Sequence, residues 1–368
     1  MLLPVFCIFI AVVVIQFLYY VVVFGKFSFA KPQTIAPKRI PISVIVCAKN
    51  EEENVKKFVP LLAEQNYATF EIVLIDDASS DNTLELFEAF EKQYPNIKLV
   101  KVENNEAFWG NKKFALTLGI KAAKYDYLLF TDADCQPASK DWITAMSSQF
   151  AMHKNIVLGY GAYDKIPSSF LNKIIRFETL LTATQYFGWA KLGKPYMGVG
   201  RNMAYRRDEF FKVRGFMDHM KIRSGDDDLF INQAATGENT TICYTPEGFT
   251  YSEPKTRFKD WFTQKRRHAS TAKHYKMFDR NQLGLFYLTQ FLFVLLAVVL
   301  LAFQYQWIAV VSIIGFRYLC CWLSMGFAAG KLKEKDVMYW FPLIELVLIL
   351  TQLNVFITNA FSKPVHWK

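Results

Sequence analysis

Tyr125-Asp-Tyr-Leu-Leu-Phe-Thr-Asp-Ala-Asp134 joins a short apolar run to two aspartates one residue apart. An apolar run of this length bounded by polar residues reads as a buried strand. In an open α/β sheet, the carboxyl ends of strands are where ligands bind. Two carboxylates so spaced can present oxygens to one hard cation, which suits Mg²⁺ or Mn²⁺ holding a diphosphate. The same arrangement occurs upstream, where Glu71-Ile-Val-Leu-Ile75 runs into Asp76-Asp77 with Asp81 close behind. A third acidic cluster, Asp226-Asp227-Asp228, lies further on. Any one cluster alone also fits a turn or a helix cap.

Working outward, Pro41-Ile-Ser-Val-Ile-Val-Cys47 reads as a first strand, and the polar turn Ala48-Lys-Asn-Glu-Glu-Glu-Asn54 opens a helix. Asn82, with Glu85 three residues on, predicts the N-cap of a helix over Thr83 to Phe90. Lys98 to Val102 is a third strand, Lys112 to Ala123 a helix, and Tyr125 to Phe130 the strand before the Asp-Ala-Asp turn. Strands alternating with helices over residues 40–252 predict a single α/β domain. The first strand–helix turn, residues 47–54, contains no glycine. A backbone that approaches a pyrophosphate closely needs one there, so a dinucleotide-binding fold is disfavoured, and Gly198-Val-Gly200 alone does not restore it.

More than half of the 368 residues are hydrophobic, and the excess sits at the two ends. Met1 to Phe24 carries no charge and is long enough to cross a bilayer as an uncleaved anchor. Leu283 to Phe303, Trp307 to Phe327 and Val337 to Ile357 are three further candidate spans. The last is the weakest, because Pro342 and Glu345 interrupt it, and three or four spans remain open. Arg317 within the second is costly in lipid, so it and Glu345 are expected to face protein or water. Lys26, Lys31, Lys38 and Arg39 follow the first span and predict that the middle of the chain is cytoplasmic. The loop Lys331 to Lys335 falls on the same side if four segments cross. The organisation expected is therefore an anchor at 1–24, a basic linker at 25–39, the α/β domain at 40–252, a basic juxtamembrane segment at 253–282, spans over 283–360 and a tail at 361–368. Between Pro254 and Arg280 nine Lys or Arg face Asp260 and Asp279. This position beside a span points to anionic head groups and phosphate-bearing substrate rather than nucleic acid. Six cysteines show no metal-binding spacing.

Six segments in order carry a family resemblance: Ser43-Val-Ile-Val-Cys-Ala-Lys-Asn-Glu51, Val73-Leu-Ile-Asp-Asp-Ala-Ser-Ser-Asp81, Phe130-Thr-Asp-Ala-Asp134, Gly198-Val-Gly-Arg-Asn-Met-Ala-Tyr205, Ser224-Gly-Asp-Asp-Asp-Leu229 and Gln264-Lys-Arg-Arg-His268. Together they resemble a membrane-associated family 2 glycosyltransferase related to the polysaccharide synthases. That resemblance implies a GT-A fold, the nucleotide-diphospho-sugar transferase fold, with one N-terminal and about three C-terminal transmembrane helices. It implies Mg²⁺ or Mn²⁺ as cofactor, with Asp134 as the principal metal ligand and Asp132 on the metal or the ribose. Asp76 or Asp77 then lies by the base and ribose of the donor, with Ala48, Asn50 and Glu51 on its other side. Lys112 or Lys113 contacts the nucleotide; the family's glycine before this lysine is displaced to Gly110. Arg201 and Asn202 belong to the substrate-binding set.

In the third cluster Gly225 replaces the family's Glu, so Asp226 takes the position expected of the general base; a register one residue later gives that role to Asp227. Asp228 fits an N-cap for the helix Leu229 to Ala235. Gln264-Lys-Arg-Arg-His268 resembles the family's Gln-x-x-Arg-Trp, with Gln264 and Arg267 matching, Arg266 beside them and His268 in place of the Trp. The resemblance implies a multi-pass protein of a bacterial-type inner membrane that uses a nucleotide-sugar donor and a lipid-linked or glycan acceptor, with inversion at the anomeric carbon. A processive polysaccharide synthase and a non-catalytic nucleotide-sugar-binding membrane protein are the alternatives.

Overall fold

The computed structural model describes residues 2–103, 112–222 and 224–362. Gly110 and the end of the tail, including Lys368, lie outside these. Among the described residues ten strands form: β1 (Ile42–Ala48), β2 (Phe70–Asp76), β3 (Ile97–Lys101), β4 (Tyr127–Asp132), β5 (Cys135–Pro137), β6 (Ile156–Leu158), β7 (Gly161–Tyr163), β8 (Met203–Arg206), β9 (Thr240–Ile242) and β10 (Thr250–Ser252). The main sheet has the order β3-β2-β1-β4-β8-β6-β9, and a small sheet has the order β5-β10-β7. β3, β2, β1 and β4 run parallel, whereas β8 is antiparallel to both β4 and β6.

β1, β2 and β4 are apolar almost without a break because both of their faces are covered, whereas the edge strand β3 carries two exposed lysines. Val44, Val46, Ile72 and Leu74 pack with Val55, Val59 and Phe87 from the helices Glu52–Ala63 and Thr83–Gln93 on one face. Ile45, Val73 and Ile75 pack on the other with Ala115 and Ile120 of the helix Lys112–Ala122. Asn82 occupies the N-cap position of the helix Thr83–Gln93 without a capping bond from its side chain. Asp81 supplies that bond instead, Oδ1 accepting from the Thr83 amide at 3.0 Å. Its Oδ2 accepts from the Glu52 amide at 3.2 Å, so one carboxylate holds two helix starts together.

The second core continues into the membrane segment. Tyr20, Phe24 and Phe27 join it, together with Phe177, Leu180 and Phe187 of the helix Phe170–Lys191. At Gly188 the two helices approach so closely that a Cβ would lie 2.5 Å from the Val23 carbonyl oxygen, a contact only glycine permits. The first apolar helix widens to π geometry over Leu18–Phe24. There the Tyr19 hydroxyl donates to the Gln282 carbonyl at 2.6 Å.

Among the described residues four helices are long and apolar enough to cross a membrane: Leu2–Ser28, Met277–Ala302, Trp307–Lys331 and Lys335–Phe361. The fourth, expected to be the weakest, is continuous. Pro342 sits in the first turn of the α-helix Phe341–Phe361, where its missing N–H costs nothing. Glu345 is paired inside the bundle: Arg317 Nη1 donates to Glu345 Oε2 at 2.7 Å and Arg317 Nε to Gln16 Oε1 at 2.6 Å. The guanidinium also lies 4.3 Å from the Phe293 ring centre.

Candidate active site

Register brings the first two acidic clusters together. Ala48 pairs with Asp76 across β1 and β2, and Cys47 with Asp132 across β1 and β4. The strand order reverses at β1, the switch point where α/β sheets open a crevice. Asp76 is buried; its Oδ2 accepts from the Ser79 amide at 3.3 Å, while its Oδ1 has no hydrogen-bond partner among the described residues. Burial pushes the neighbouring Asp77 carboxyl up. The Ala48 carbonyl accepts from the Asp77 amide at 2.9 Å. Asn50 takes a left-handed conformation with φ of 57°, and its Oδ1 accepts from the Ser80 amide at 2.7 Å, tying the two strand-end loops to each other. The Glu51 amide donates to Thr83 Oγ1 at 2.9 Å. Burial, together with the more distant Asp134 and Asp132, raises the Glu51 carboxyl.

Lys112, at the start of its helix, reaches across the crevice. Its Nζ donates to Asp132 Oδ1 at 2.7 Å and stands 3.3 Å from Asp226 Oδ2. One ammonium thus joins the second acidic cluster to the third, although they are far apart in sequence. Burial disfavours the Lys112 charge, but Asp132 and Asp226 more than offset this and raise its pKa well above the ordinary value. Lys113 does something different: its Nζ donates to the carbonyls of His219, Ile222 and Ser224 at 2.8–2.9 Å. It grips the loop leading to the third cluster, and burial lowers its pKa to about 8.

The three aspartates of that cluster differ. Burial would raise Asp226, but the Lys112 ammonium and a backbone N–H hold it below its ordinary value. Asp227 is pushed up to about 7 by burial and by the carboxylates of Asp228 and Asp226. Its Oδ2 accepts from the Gly200 amide at 2.8 Å and its Oδ1 from the Asp228 amide at 2.7 Å. Asp227, and not Asp228, occupies the N-cap of the helix Asp228–Ala234. Asp228 is buried instead, its Oδ2 accepting from Thr271 Oγ1 at 2.5 Å and from the Tyr275 hydroxyl at 2.7 Å. No local pattern flagged Thr271 and Tyr275, which lie more than forty residues away in sequence.

Asp132, Asp134 and Cys135 present potential ligand atoms within 4.8 Å of one another. The two carboxylates suit a hard cation, whereas the Cys135 thiol does not. It is buried, burial raises its pKa well above the ordinary value, and it donates to Asp134 Oδ1 at 3.3 Å. The donor set therefore fits Mg²⁺ or Mn²⁺ on Asp132 and Asp134.

Two expected contact residues are engaged elsewhere. The Asn202 side chain is fully buried, accepting from Trp142 Nε1 at 3.1 Å and donating to the Tyr160 and Gly248 carbonyls at 2.9 and 2.7 Å. It braces the main sheet against the segment before β10 and does not line the crevice. Arg266 turns to the fourth span, where its Nε donates to Asn359 Oδ1 at 2.9 Å and its Nη2 to the Ser362 carbonyl at 2.8 Å. Arg201 is partly committed: it donates to the Ala162 and Gly161 carbonyls at 3.0 and 2.7 Å and stacks 4.2 Å from the Tyr163 ring centre. Gln264, Arg267 and His268 share the helix Phe258–Ala269 with Arg266. Burial lowers the pKa of Arg267, opposed by the nearby charges of Asp226, Asp132 and Asp227. His268, at the position of the family's Trp, is exposed.

A glycosyl transferase family 2 model matches residues 43–214, and a glycosyl transferase family group 2 model matches residues 154–350, more than half of the chain. A poly-β-1,6-N-acetyl-D-glucosamine synthase of Staphylococcus epidermidis is 38% identical over 93 residues, 25% of this chain and 21% of that protein. The probable glycosyltransferase YdaM of Bacillus subtilis is 26% identical over 242 residues, 63% of this chain and 55% of that protein. The chain thus spans about a fifth and about half of the length of these two relatives. A mannosyltransferase of Pyrobaculum calidifontis, solved in complex with GDP-mannose and Mn²⁺, superposes with a TM-score of 0.59 at 18% identity, covering 94% of this chain and 99% of that one. At that identity the likeness is one of fold.

Proposed function

The chain belongs to glycosyl transferase family 2, and on that premise we propose that residues 40–252 transfer a sugar from a nucleotide-sugar donor to a lipid-linked or glycan hydroxyl, with inversion at the anomeric carbon. The GT-A fold and four helices long and apolar enough to cross a membrane support a membrane-bound enzyme. The observation that carries it is the shared Lys112 ammonium, 2.7 Å from Asp132 and 3.3 Å from Asp226. That contact brings a donor-side carboxylate and a candidate base to one crevice.

In this reading the base and ribose of the donor lie along the ends of β1 and β2, against Ala48, Asn50, Glu51, Asp76 and Asp77. The unpartnered Asp76 Oδ1 supports this, since a buried acceptor of that kind suits a ribose hydroxyl or a base N–H. Asp134 and Asp132 would hold Mg²⁺ or Mn²⁺, which when bound would neutralise charge on the diphosphate. Lys112 and Arg267 add fixed positive charge where the leaving group develops its own. The acceptor oxygen attacks the anomeric carbon and gives its proton to Asp226, while the bond to the diphosphate breaks and the electron pair leaves with it. A base held ionised by Lys112 is in the protonation state this step requires. Gln264, three residues before Arg267 on the same helix, would contact the acceptor beside it.

Transfer of one or a few sugars is favoured over processive synthesis, because exposed His268 does not supply the aromatic platform of the family's Trp. The catalytic domain faces the cytoplasm of a bacterial-type inner membrane, following the basic residues after the first span. The test is to incubate purified protein with a panel of nucleotide sugars and Mn²⁺ and to measure released nucleoside diphosphate. Release for one donor, lost in EDTA and in Asp134→Ala, is expected. Full activity in excess chelator would overturn the metal assignment.

A further inference from the structure

Away from the crevice, a cleft of about 600 Å³ opens where the third span meets the catalytic domain. One wall is the end of the helix Trp307–Lys331, which presents Trp322, Leu323 and Phe327, all about half exposed. Gly326 and Gly330 follow along the same wall, and above Gly326 a Cβ would meet nothing within 4 Å. The opposite wall is Pro32 and Gln33 of the linker with Tyr244 of the catalytic domain. It is firmly built: Gln33 Nε2 donates to the Ile242 carbonyl at 2.7 Å, Gln33 Oε1 accepts from the Tyr244 amide at 2.8 Å, and the Tyr244 hydroxyl donates to the Lys31 carbonyl at 2.6 Å.

The mouth of the cleft carries Lys331, Lys333 and Lys335. The acids alternating with them do not neutralise them, because the loop sends its two signs in opposite directions. Glu334 Oε2 accepts from Arg176 Nε at 2.8 Å; Asp336 accepts from Arg176 Nη1 at 2.8 Å and from Lys165 Nζ at 3.0 Å. Lys331 donates to the Ala30 carbonyl at 2.6 Å and so keeps its charge. Lys333 and Lys335 form no ion pair among the described residues. An apolar wall along a membrane-spanning helix thus ends in three uncompensated ammonium groups. Fixed cations at the end of an apolar wall complement an amphiphile with one anionic head.

We propose that this cleft is a binding site for an anionic phospholipid, separate from the crevice, with the phosphate on Lys331, Lys333 and Lys335 and an acyl chain along Leu323, Gly326 and Phe327. The apolar wall selects a lipid over a soluble phosphate, and the lysines select an anionic head over a zwitterionic one. The site does not depend on the transfer reaction, since none of its residues lies in the crevice.

The test uses the full chain in nanodiscs of phosphatidylcholine containing a minor fraction of phosphatidylglycerol, with lipids retained after release into detergent identified by native mass spectrometry. Wild type is expected to retain one phosphatidylglycerol in preference to phosphatidylcholine. Lys333→Gln/Lys335→Gln is expected to reduce that preference about tenfold or more, at roughly 1 kcal/mol per lysine near a membrane surface. Gly326→Leu, which fills the groove without changing charge, is expected to lower retention of the lipid as well. Displacement of the lipid by millimolar inorganic phosphate would instead mark a site for soluble phosphate and overturn the proposal. Equal retention by wild type and both variants would also overturn it.

Discussion

Three consecutive aspartates, 226 to 228, meet three different environments, so their substitutions are expected to separate. Asp226→Asn removes the proposed base and no proposed donor contact; it should bind nucleotide sugar almost normally yet turn over about 10²-fold more slowly or worse. Asp228→Asn disturbs the bonds from Thr271 and Tyr275 and is expected to cost about 2 kcal/mol of stability while turnover per folded molecule changes little. Isothermal titration with donor, turnover and thermal melts distinguish the two. Asp227 makes a prediction about pH. An exposed Asp gives up its proton near pH 4, whereas folding holds one on Asp227 up to about 7. The folded state binds the extra proton between those values, so its stability falls as pH rises from about 4 to about 7, and the contribution is gone above that. Melting temperatures across this range should show a shallower decline in Asp227→Asn. At this scale the resemblance could identify which residues are polar but not what they touch. Asn202 and Arg201 sit in a matching motif, and only tertiary structure shows one amide spent inside the fold and one guanidinium largely spent on carbonyls.

Elements decide which way such side chains turn. Arg266 and Arg267 are adjacent on one helix and therefore point about 100° apart, one to the fourth span and one toward the acidic crevice. The motif matches Arg267 alone, and the helix turns its neighbour Arg266 away from the crevice. The long strands of the main sheet were legible because a buried parallel strand is apolar throughout. β5, β7 and β10 are three residues each and leave no periodic trace. The fourth span was obscured by Pro342 and Glu345, whose tolerance depends on a helix start and on a partner 28 positions away. That pair makes its own prediction. Glu345→Gln leaves Arg317 without its countercharge inside the bundle and is expected to destabilise the protein by about 3–5 kcal/mol, whereas Arg317→Met/Glu345→Met, which buries no charge, should recover most of that loss. Unfolding in detergent followed by near-ultraviolet circular dichroism reads both.

Across the whole molecule, four crossings would put Met1 and Lys368 on one side of the membrane and residues 40–252 on the other. A reporter fused after Arg280 is expected to read cytoplasmic and one fused after Lys368 external, in a paired phosphatase and fluorescent-protein assay. An internal reading at the chain end would mean that the fourth helix lies along the membrane instead of crossing it. The same four helices explain why overall organisation was easier to read than individual contacts, since hydrophobic length needs no partner to be recognised.

The tight crossing at Gly188 and Val23 gives the first span a second hold on the rest of the protein, independent of the peptide chain that follows it. Tyr19 fastens a further point to the second span. Cutting the chain between residues 34 and 35 would leave that joint intact. Residues 1–34 and 35–368, expressed as two separate polypeptides, are therefore expected to find each other in the bilayer and purify as a complex, and Gly188→Val, which wedges the crossing open, should prevent this complementation.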